Sequence, residues 1–252
     1  MKRFLYVLVF TILLSSTYAV EKFGYKVSKE DAFLYTQGNI YLIQSSSIVC
    51  SGNMLYFAAK DFTNRKDLLV AKTEKVEVFA DEKKRKVVKL TFSLESKKKI
   101  CPEYKLIVYG EIRKEFPFLA IYSKFLYLGK ERHLCGINWG LSSAYEKFKY
   151  YTIPKKGKPT TFKLVKTRRT KIGHANWIFV NNGKGVGAGL IAPAVILGKG
   201  EDFIFVNSVP PKKRIKKGES INVFMIFMPI NKNWKILPEL FDKIKGIKWE
   251  YK

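Results

Sequence analysis

Histidine and cysteine are scarce in this chain, with two and three respectively among 252 residues. There is no C-x-x-C pair, and His133 and Cys135 would share one face of a strand with only one other His in the chain. A structural zinc site needs four such ligands, so neither a metal nor a cofactor is expected. Acids are also few: 21 Asp and Glu stand against 47 Lys and Arg, a formal charge of +26. After residues 4–14 there is no second long apolar run, so no further helix reaches the roughly 20 apolar residues a membrane span needs. The reading is a soluble or peripherally attached mature protein. Internal repeats and low-complexity linkers are lacking too, which argues against a solenoid and against a divided chain. What is plentiful is apolar surface. Apolar residues make up 47% of the chain and aromatics 15%, too much for disorder.

The first residues point to a compartment. Lys2 and Arg3 precede an apolar run from Phe4 to Leu14, broken by Thr11, and small residues follow up to Ala19. This is the order of a secretory signal peptide, with Thr17 at −3 and Ala19 at −1 of the cut. An uncleaved anchor is the rival reading, disfavoured by the shortness of the run. No Cys follows it, which argues against a bacterial lipid anchor. The expectation is a signal peptide over 1–19 and one domain over 20–252, secreted or periplasmic. Lys2 and Arg3 carry two of the 26 charges, so the mature chain keeps +24 (26 − 2). In an oxidising compartment Cys50, Cys101 and Cys135 allow one disulfide and one free thiol, and the sequence does not rank the pairings. Three small buried thiols are the simpler reading.

Period-two alternation recurs from about residue 38 to 228. Val88, Leu90, Phe92 and Leu94 share one face, and 104–112 reads the same way. So do 68–80, 118–128, 148–153, 161–167 and 221–228. These runs are rich in Val, Ile, Phe, Tyr and Thr, which suit a pleated surface. Turn residues part them at 51–53, 81–84, 156–159 and 182–183. Residues 95–100 and 154–160 read as loops too short to separate domains. The pattern predicts an all-β fold: a large antiparallel β-sandwich, supersandwich-like, with a short C-terminal helix. That helix starts near Pro238, which suits a first turn, and stops at Gly246.

The charge predicts an anionic partner. Two dense runs, Lys166 to Lys171 and Lys212 to Lys217, would hold an acidic polymer if they flanked one face. Arg168 and Arg169 are the better carboxylate partners because guanidinium binds as a fork. Export argues against nucleic acid as the normal partner. A Lys-rich surface shared by the organism's whole proteome is the competing explanation.

The least ordinary stretch is 173–193, where Gly183, Gly185, Gly187 and Gly189 alternate. On a strand they share one face, and a face without side chains admits a close neighbour. The neighbour is either packed sheet or a flat ligand in a cleft rimmed by His174 and Trp177. Trp177 and Trp139 are candidate stacking platforms for a sugar ring, and Asn176 a hydroxyl partner. For each Trp, core packing is the alternative. His133, beside Glu131 and Arg132, is a candidate proton carrier.

Taken in order, the aromatic strand 176–180, the Asn-Gly turn, the Gly-alternating strand to Ile191 and the last strand 220–227 resemble the galactose mutarotase-like β-supersandwich group. Residues 116–122 supply a mid-chain strand. The resemblance spans about residues 30–230 and implies a carbohydrate-related protein. Where that group carries an Asn-His-x-Tyr-Phe-Asn type of motif with a catalytic His, this chain has Ile137-Asn138-Trp139-Gly140-Leu141. Glu201, the late carboxylate, falls in a Gly- and Lys-rich turn. Mutarotase catalysis is therefore not carried over. The expectation is a secreted carbohydrate-binding protein, with acidic polysaccharide as its partner. The alternatives are a sugar epimerase or polysaccharide lyase and a non-catalytic envelope protein, so whether it is an enzyme stays open. A lyase would draw on Arg132, Arg169, His133, His174 and Tyr122. One concave site joining both His with Trp and Arg would favour the enzyme, and an aromatic strip without paired acid and base would favour binding.

Overall fold

The structure is a computed structural model describing residues 23–61, 68–96, 99–143, 148–164, 171–184, 186–199, 204–208, 213–230 and 235–251. The expected signal peptide, Arg168, Arg169, Gly185 and Glu201 lie outside the described residues, as does the side chain of His174.

The strands are β1 (Phe23–Val27), β2 (Ala32–Thr36), β3 (Asn39–Gln44), β4 (Ser47–Cys50), β5 (Asn53–Asp61) and β6 (Leu68–Asp81). They continue as β7 (Arg85–Ser96), β8 (Lys99–Arg113), β9 (Leu119–Tyr127), β10 (His133–Ser143), β11 (Tyr150–Lys155) and β12 (Lys158–Lys163). The last are β13 (Lys171–Asn181), β14 (Gly187–Lys199), β15 (Ile204–Ser208), β16 (Lys213–Ile215) and β17 (Ser220–Pro229), followed by helix α1 (Ile236–Ile244). The all-β class and the short C-terminal helix agree with the sequence reading.

Every pairing is antiparallel. One layer runs β12-β11-β13-β14-β17-β9-β8-β7-β6. The other runs β1-β2-β3-β4-β5-β10, with β15 and β16 on the far edge of β10. Two strands belong to both layers. The start of β6 pairs β5 before β6 turns to β7. The first half of β14 pairs β17, and its second half pairs β15. Pro193 lies between these halves, where a missing N–H costs no ladder bond.

The alternation in the sequence is the alternation of the layers. On β8, Tyr104, Leu106, Val108 and Ile112 enter the main core between the layers. Gly110 continues this face, and a Cβ there would run into Ile43 and Leu34 from the facing layer. Three hairpins close with a residue-Gly pair at positive φ: Gln37-Gly38, Ser51-Gly52 and Lys156-Gly157. Two successive positive φ values make the turn whose twist matches the strands, and Gly tolerates it best. Residues 154–160, read as a loop, are mostly strand around this last two-residue turn.

Trp139 is a core residue. It is 0% exposed and packs on Phe57 with ring centroids 4.9 Å apart, so it meets no ligand from solvent. Cys50, Cys101 and Cys135 are buried thiols, not joined in a disulfide. Burial pushes the Cys50 thiol up to about 12.

Candidate functional site

The outer face of the first layer is built row by row from strand register. Tyr109 on β8 lies opposite Tyr122 on β9, and Tyr122 opposite Phe224 on β17. Two residues further along, Glu111 lies opposite Ala120, Ala120 opposite Ile226, Ile226 opposite Ile191, and Ile191 opposite Trp177. Glu111 and Trp177 thus lie in one row at its two ends. The aromatic row is the strip the sequence asked about, and it joins the consecutive strands β8 and β9 to β17, which lies far beyond them in the chain.

This face is covered by the end of the chain. On the β13 and β14 side, Trp177, Phe179, Ile191, Met228, Ile230, Leu237, Leu240 and Ile244 form a second apolar core. Helix α1 provides the last three, at helical spacing, so its apolar stripe faces the sheet. Trp177 is 4% exposed beneath it. The glycine face does admit a close neighbour, but that neighbour is the chain itself. A Cβ on Gly189 would stand 2.5 Å from Ile230 Cδ1 and 2.6 Å from Leu237 Cδ2. One on Gly187 would strike the Val180 carbonyl oxygen and lie 2.7 Å from Phe179 Cε2. Trp177 and Gly187 are therefore packing residues here, while Asn176 faces solvent.

On the β8 and β9 side the tail after α1 lies over the aromatic row. Trp249 packs on Phe224 at 5.0 Å and takes the Arg113 guanidinium on its face at 4.8 Å. Tyr251 stacks on Tyr122 at 5.0 Å with the planes 6° apart, and touches Tyr109 at 5.2 Å. Main-chain carbonyls fix the tail: Arg113 donates to Lys248 O at 3.4 Å and Arg85 to Glu250 O at 3.3 Å.

Beneath Tyr251 sits Glu111, 0% exposed. Arg113 Nε donates to its Oε1 at 2.7 Å, and Arg85 Nη2 stands 3.1 Å from its Oε2. The buried Tyr251 hydroxyl lies against the Glu111 carboxylate. Burial first, and the Glu111 charge second, hold the Tyr251 phenol well above its usual range. Burial likewise raises Tyr122. The Tyr122 ring is the surface on which Tyr251 stacks. Glu111 and Arg113 went unnoticed in the sequence. The available signal was a carboxylate and a cation two residues apart on a strand otherwise apolar (Tyr109-Gly110-Glu111-Ile112-Arg113).

His133 and Tyr122 do not meet on this face. His133 is 7% exposed at the start of β10, with Nδ1 2.8 Å from Tyr104 Oη and its ring stacked on Tyr127 at 4.9 Å. Tyr104 and Tyr127 belong to the main core, so His133 lies between the layers while Tyr122 lies outside them. Arg132 and Glu131 are exposed in the preceding loop.

A second feature gathers around that loop. β16 pairs with His133–Cys135, and the following turn donates from Gly218 N to Tyr127 O at 2.8 Å. This brings Lys130 and Arg132 together with Lys213, Arg214, Lys216 and Lys217 at one end of the sandwich. All six are exposed. No ion pair to a described residue holds any of them. Tyr104, near this end, is seven residues from Glu111 along β8, roughly 23 Å at strand rise, so the cationic end and the aromatic row are separate features.

No protein-family model matches this sequence, and no curated protein sequence matches it. Solved structures similar in fold include the Slr1438 protein of Synechocystis sp. PCC 6803, at 10% identity over 77% of this chain and 92% of that one, with a TM-score of 0.47. A galactose mutarotase-related enzyme of Lactobacillus acidophilus shares 10% identity over 79% of this chain and 97% of its own, with a TM-score of 0.43. The GH36 α-galactosidase AgaA of Geobacillus stearothermophilus shares 8% identity over 82% of this chain, with a TM-score of 0.51, and this chain spans 40% of its length. The fold likeness rests on that last comparison, and at such identities it is a likeness of fold alone.

Proposed function

We propose that this is an exported carbohydrate-binding protein whose partner is an acidic polysaccharide. The observation that carries the reading is the cationic end: Lys130, Arg132, Lys213, Arg214, Lys216 and Lys217, brought from two segments to one exposed patch. Six cations with no carboxylate partner among the described residues raise the local concentration of a polyanion and make binding depend on salt. Two further features support the carbohydrate part: the stacked aromatic row, and the fold shared with a protein named as an α-galactosidase. Binding is preferred to a lyase reaction because His133 lies between the layers and Tyr122 on the outer face.

The test is retention of the mature protein on an immobilised uronic-acid polymer and on a neutral glycan. The acidic column should retain it at low salt and release it as salt rises. A variant carrying Lys213→Glu, Arg214→Glu, Lys216→Glu and Lys217→Glu should elute at much lower salt with its melting temperature kept. Equal retention on both columns, or no change in the variant, refutes the reading. Export is tested by N-terminal sequencing: a start at Val20 or a close neighbour supports it, and an intact Met1 in the membrane fraction supports the anchor.

A further inference from the structure

We infer that the cationic end is also a membrane-docking surface: Val70, Ile100 and Leu128 enter the headgroup–acyl boundary of an anionic lipid bilayer, and the six cations beside them hold its headgroups. The inference rests on the cationic end described above and goes beyond the polysaccharide reading, because it adds an apolar contact that a polysaccharide does not use.

The exposed apolar residues are not spread evenly. Six large ones are exposed among the described residues, and the two most exposed, Ile100 at 62% and Val70 at 58%, lie in one row. Val70 on β6 is opposite Glu95 on β7, and Glu95 is opposite Ile100 on β8. Two strand spacings separate the pair, roughly 10 Å. Their chain neighbours Leu69, Ala71 and Cys101 enter the main core, so Val70 and Ile100 stand on the opposite, outer face. Leu128 is 37% exposed just after β9, and its N–H donates to Glu103 O at 2.7 Å, three residues along β8 from Ile100. Exposed Pro102 lies between these two positions.

The same backbone bonds bring the cations alongside. Gly218 N donates to Tyr127 O, one residue before Leu128, which sets the turn with Lys216 and Lys217 beside it. Lys130 and Arg132 follow Leu128 directly in the chain. The acids at this end are fewer. Glu95 pairs with Lys72 at 3.8 Å, and Glu219 accepts from the Lys216 main-chain N–H at 3.1 Å, which leaves Glu103 and Glu131 against six cations.

Cations alone would suit any polyanion. Branched aliphatic side chains gain only from hydrocarbon, and exposed apolar side chains bordered by cations mark a surface that lies on a membrane. An acidic polysaccharide, hydroxylated and charged along its length, offers them no hydrocarbon. An anionic bilayer satisfies both halves at once, charge at the headgroups and apolar contact just beneath them.

The test uses the mature protein and vesicles of phosphatidylcholine, pure or mixed with phosphatidylglycerol in equal parts. The protein should sediment with the mixed vesicles and not with the neutral ones. Val70→Ser, Ile100→Ser and Leu128→Ser together should weaken that binding about tenfold or more, while the melting temperature and retention on the acidic column stay unchanged. Mixed-vesicle binding that the triple variant keeps would make the vesicle one more polyanion and overturn the inference. A wild type that the acidic column retains and the mixed vesicles do not bind overturns it too, and leaves the polysaccharide reading standing. The reverse result, vesicle binding that needs the three aliphatic residues without retention on the column, supports it and removes the polysaccharide. If the triple variant fails to fold, Ile100→Trp decides. Its added fluorescence should be quenched by lipids brominated near the headgroup, and unquenched fluorescence overturns the docking.

Discussion

Gly187 and Gly189 lie on the same strand face, two residues apart, yet they should respond differently to the same added methyl. At Gly189 the new Cβ meets the far ends of two flexible side chains, Ile230 Cδ1 at 2.5 Å and Leu237 Cδ2 at 2.6 Å. Each can rotate away for about 0.5–1.5 kcal/mol. Replacing Gly with Ala also returns about 0.4–1 kcal/mol by restricting the unfolded chain. The net loss for Gly189→Ala is then about 1 kcal/mol. At Gly187 the Cβ meets the Val180 carbonyl, which is tied into the β13–β14 ladder and cannot swing aside, and the Phe179 ring at 2.7 Å. The carbonyl of Gly187 itself accepts from Ile230 N at 2.9 Å and from Asn53 Nδ2 at 3.2 Å, so moving this strand strains both bonds. Overpacking of this kind reaches the upper part of the range of about 1–3 kcal/mol. Less the same entropic return, Gly187→Ala should lose about 2 kcal/mol, or roughly 4–8 °C in melting temperature for a domain this size. Urea unfolding followed by tryptophan fluorescence measures both variants on one scale. A Gly189→Ala variant as unstable as Gly187→Ala would refute the reasoning, because it would mean that the helix side cannot yield.

Trp177→Ala should cost about 3–5 kcal/mol by leaving a cavity under α1, while the folded fraction keeps its retention on the acidic polymer. Loss of retention with an unchanged melting temperature would instead make Trp177 a binding surface. Alkali should destabilise the protein through Tyr41, Tyr251 and Cys50, whose pKa values burial raises. Their neutral forms contribute full stability below the unfolded values, near 9 for the thiol and 10 for the phenols, because the unfolded chain releases these protons first. That stability falls as pH rises toward the folded values, by about 1.4 kcal/mol per pH unit for each group. For Cys50 the window closes near 12. Urea midpoints that stay level from pH 9 to 11.5 would contradict this.

The strands with one face in the core and one in water were legible, because β7 and β8 alternate as the two faces demand. β10 was not, and its burial explains why. Cys135, Ile137, Trp139 and Leu141 do alternate onto the core face, but Gly136, Gly140 and Ser142 between them are small and uncharged, and buried Gly136 and Gly140 mark no water-facing side, so the contrast between the two faces is weak. β1 and β2 escaped for related reasons: β1 is short, and Ala32-Phe33-Leu34-Tyr35 is apolar on both faces. The glycine alternation at 187 and 189 correctly announced a close approach. What approaches was hidden, because the partner, Leu237, lies almost fifty residues away and is recognisable only as one stripe of a short helix. The aromatic row was hidden more deeply. Tyr109, Tyr122 and Phe224 become neighbours only through the register of β8, β9 and β17, and register is not written in any one of them.

At the end of the first layer, β12 bonds to β11 and, among the described residues, to nothing beyond it. Its sequence is Lys158-Pro159-Thr160-Thr161-Phe162-Lys163, with Lys158, Pro159, Thr161 and Lys163 exposed. A free strand edge is a template on which a second molecule can add its own strand and begin an aggregate. Here the edge has a proline that cannot donate a ladder bond, and a lysine at each end that repels the same edge of another copy. The excess of lysine thus has a consequence besides the proposed attraction of polyanions: it keeps copies of a very strand-rich chain from joining edge to edge, and a polyanion that neutralises those lysines would weaken that protection.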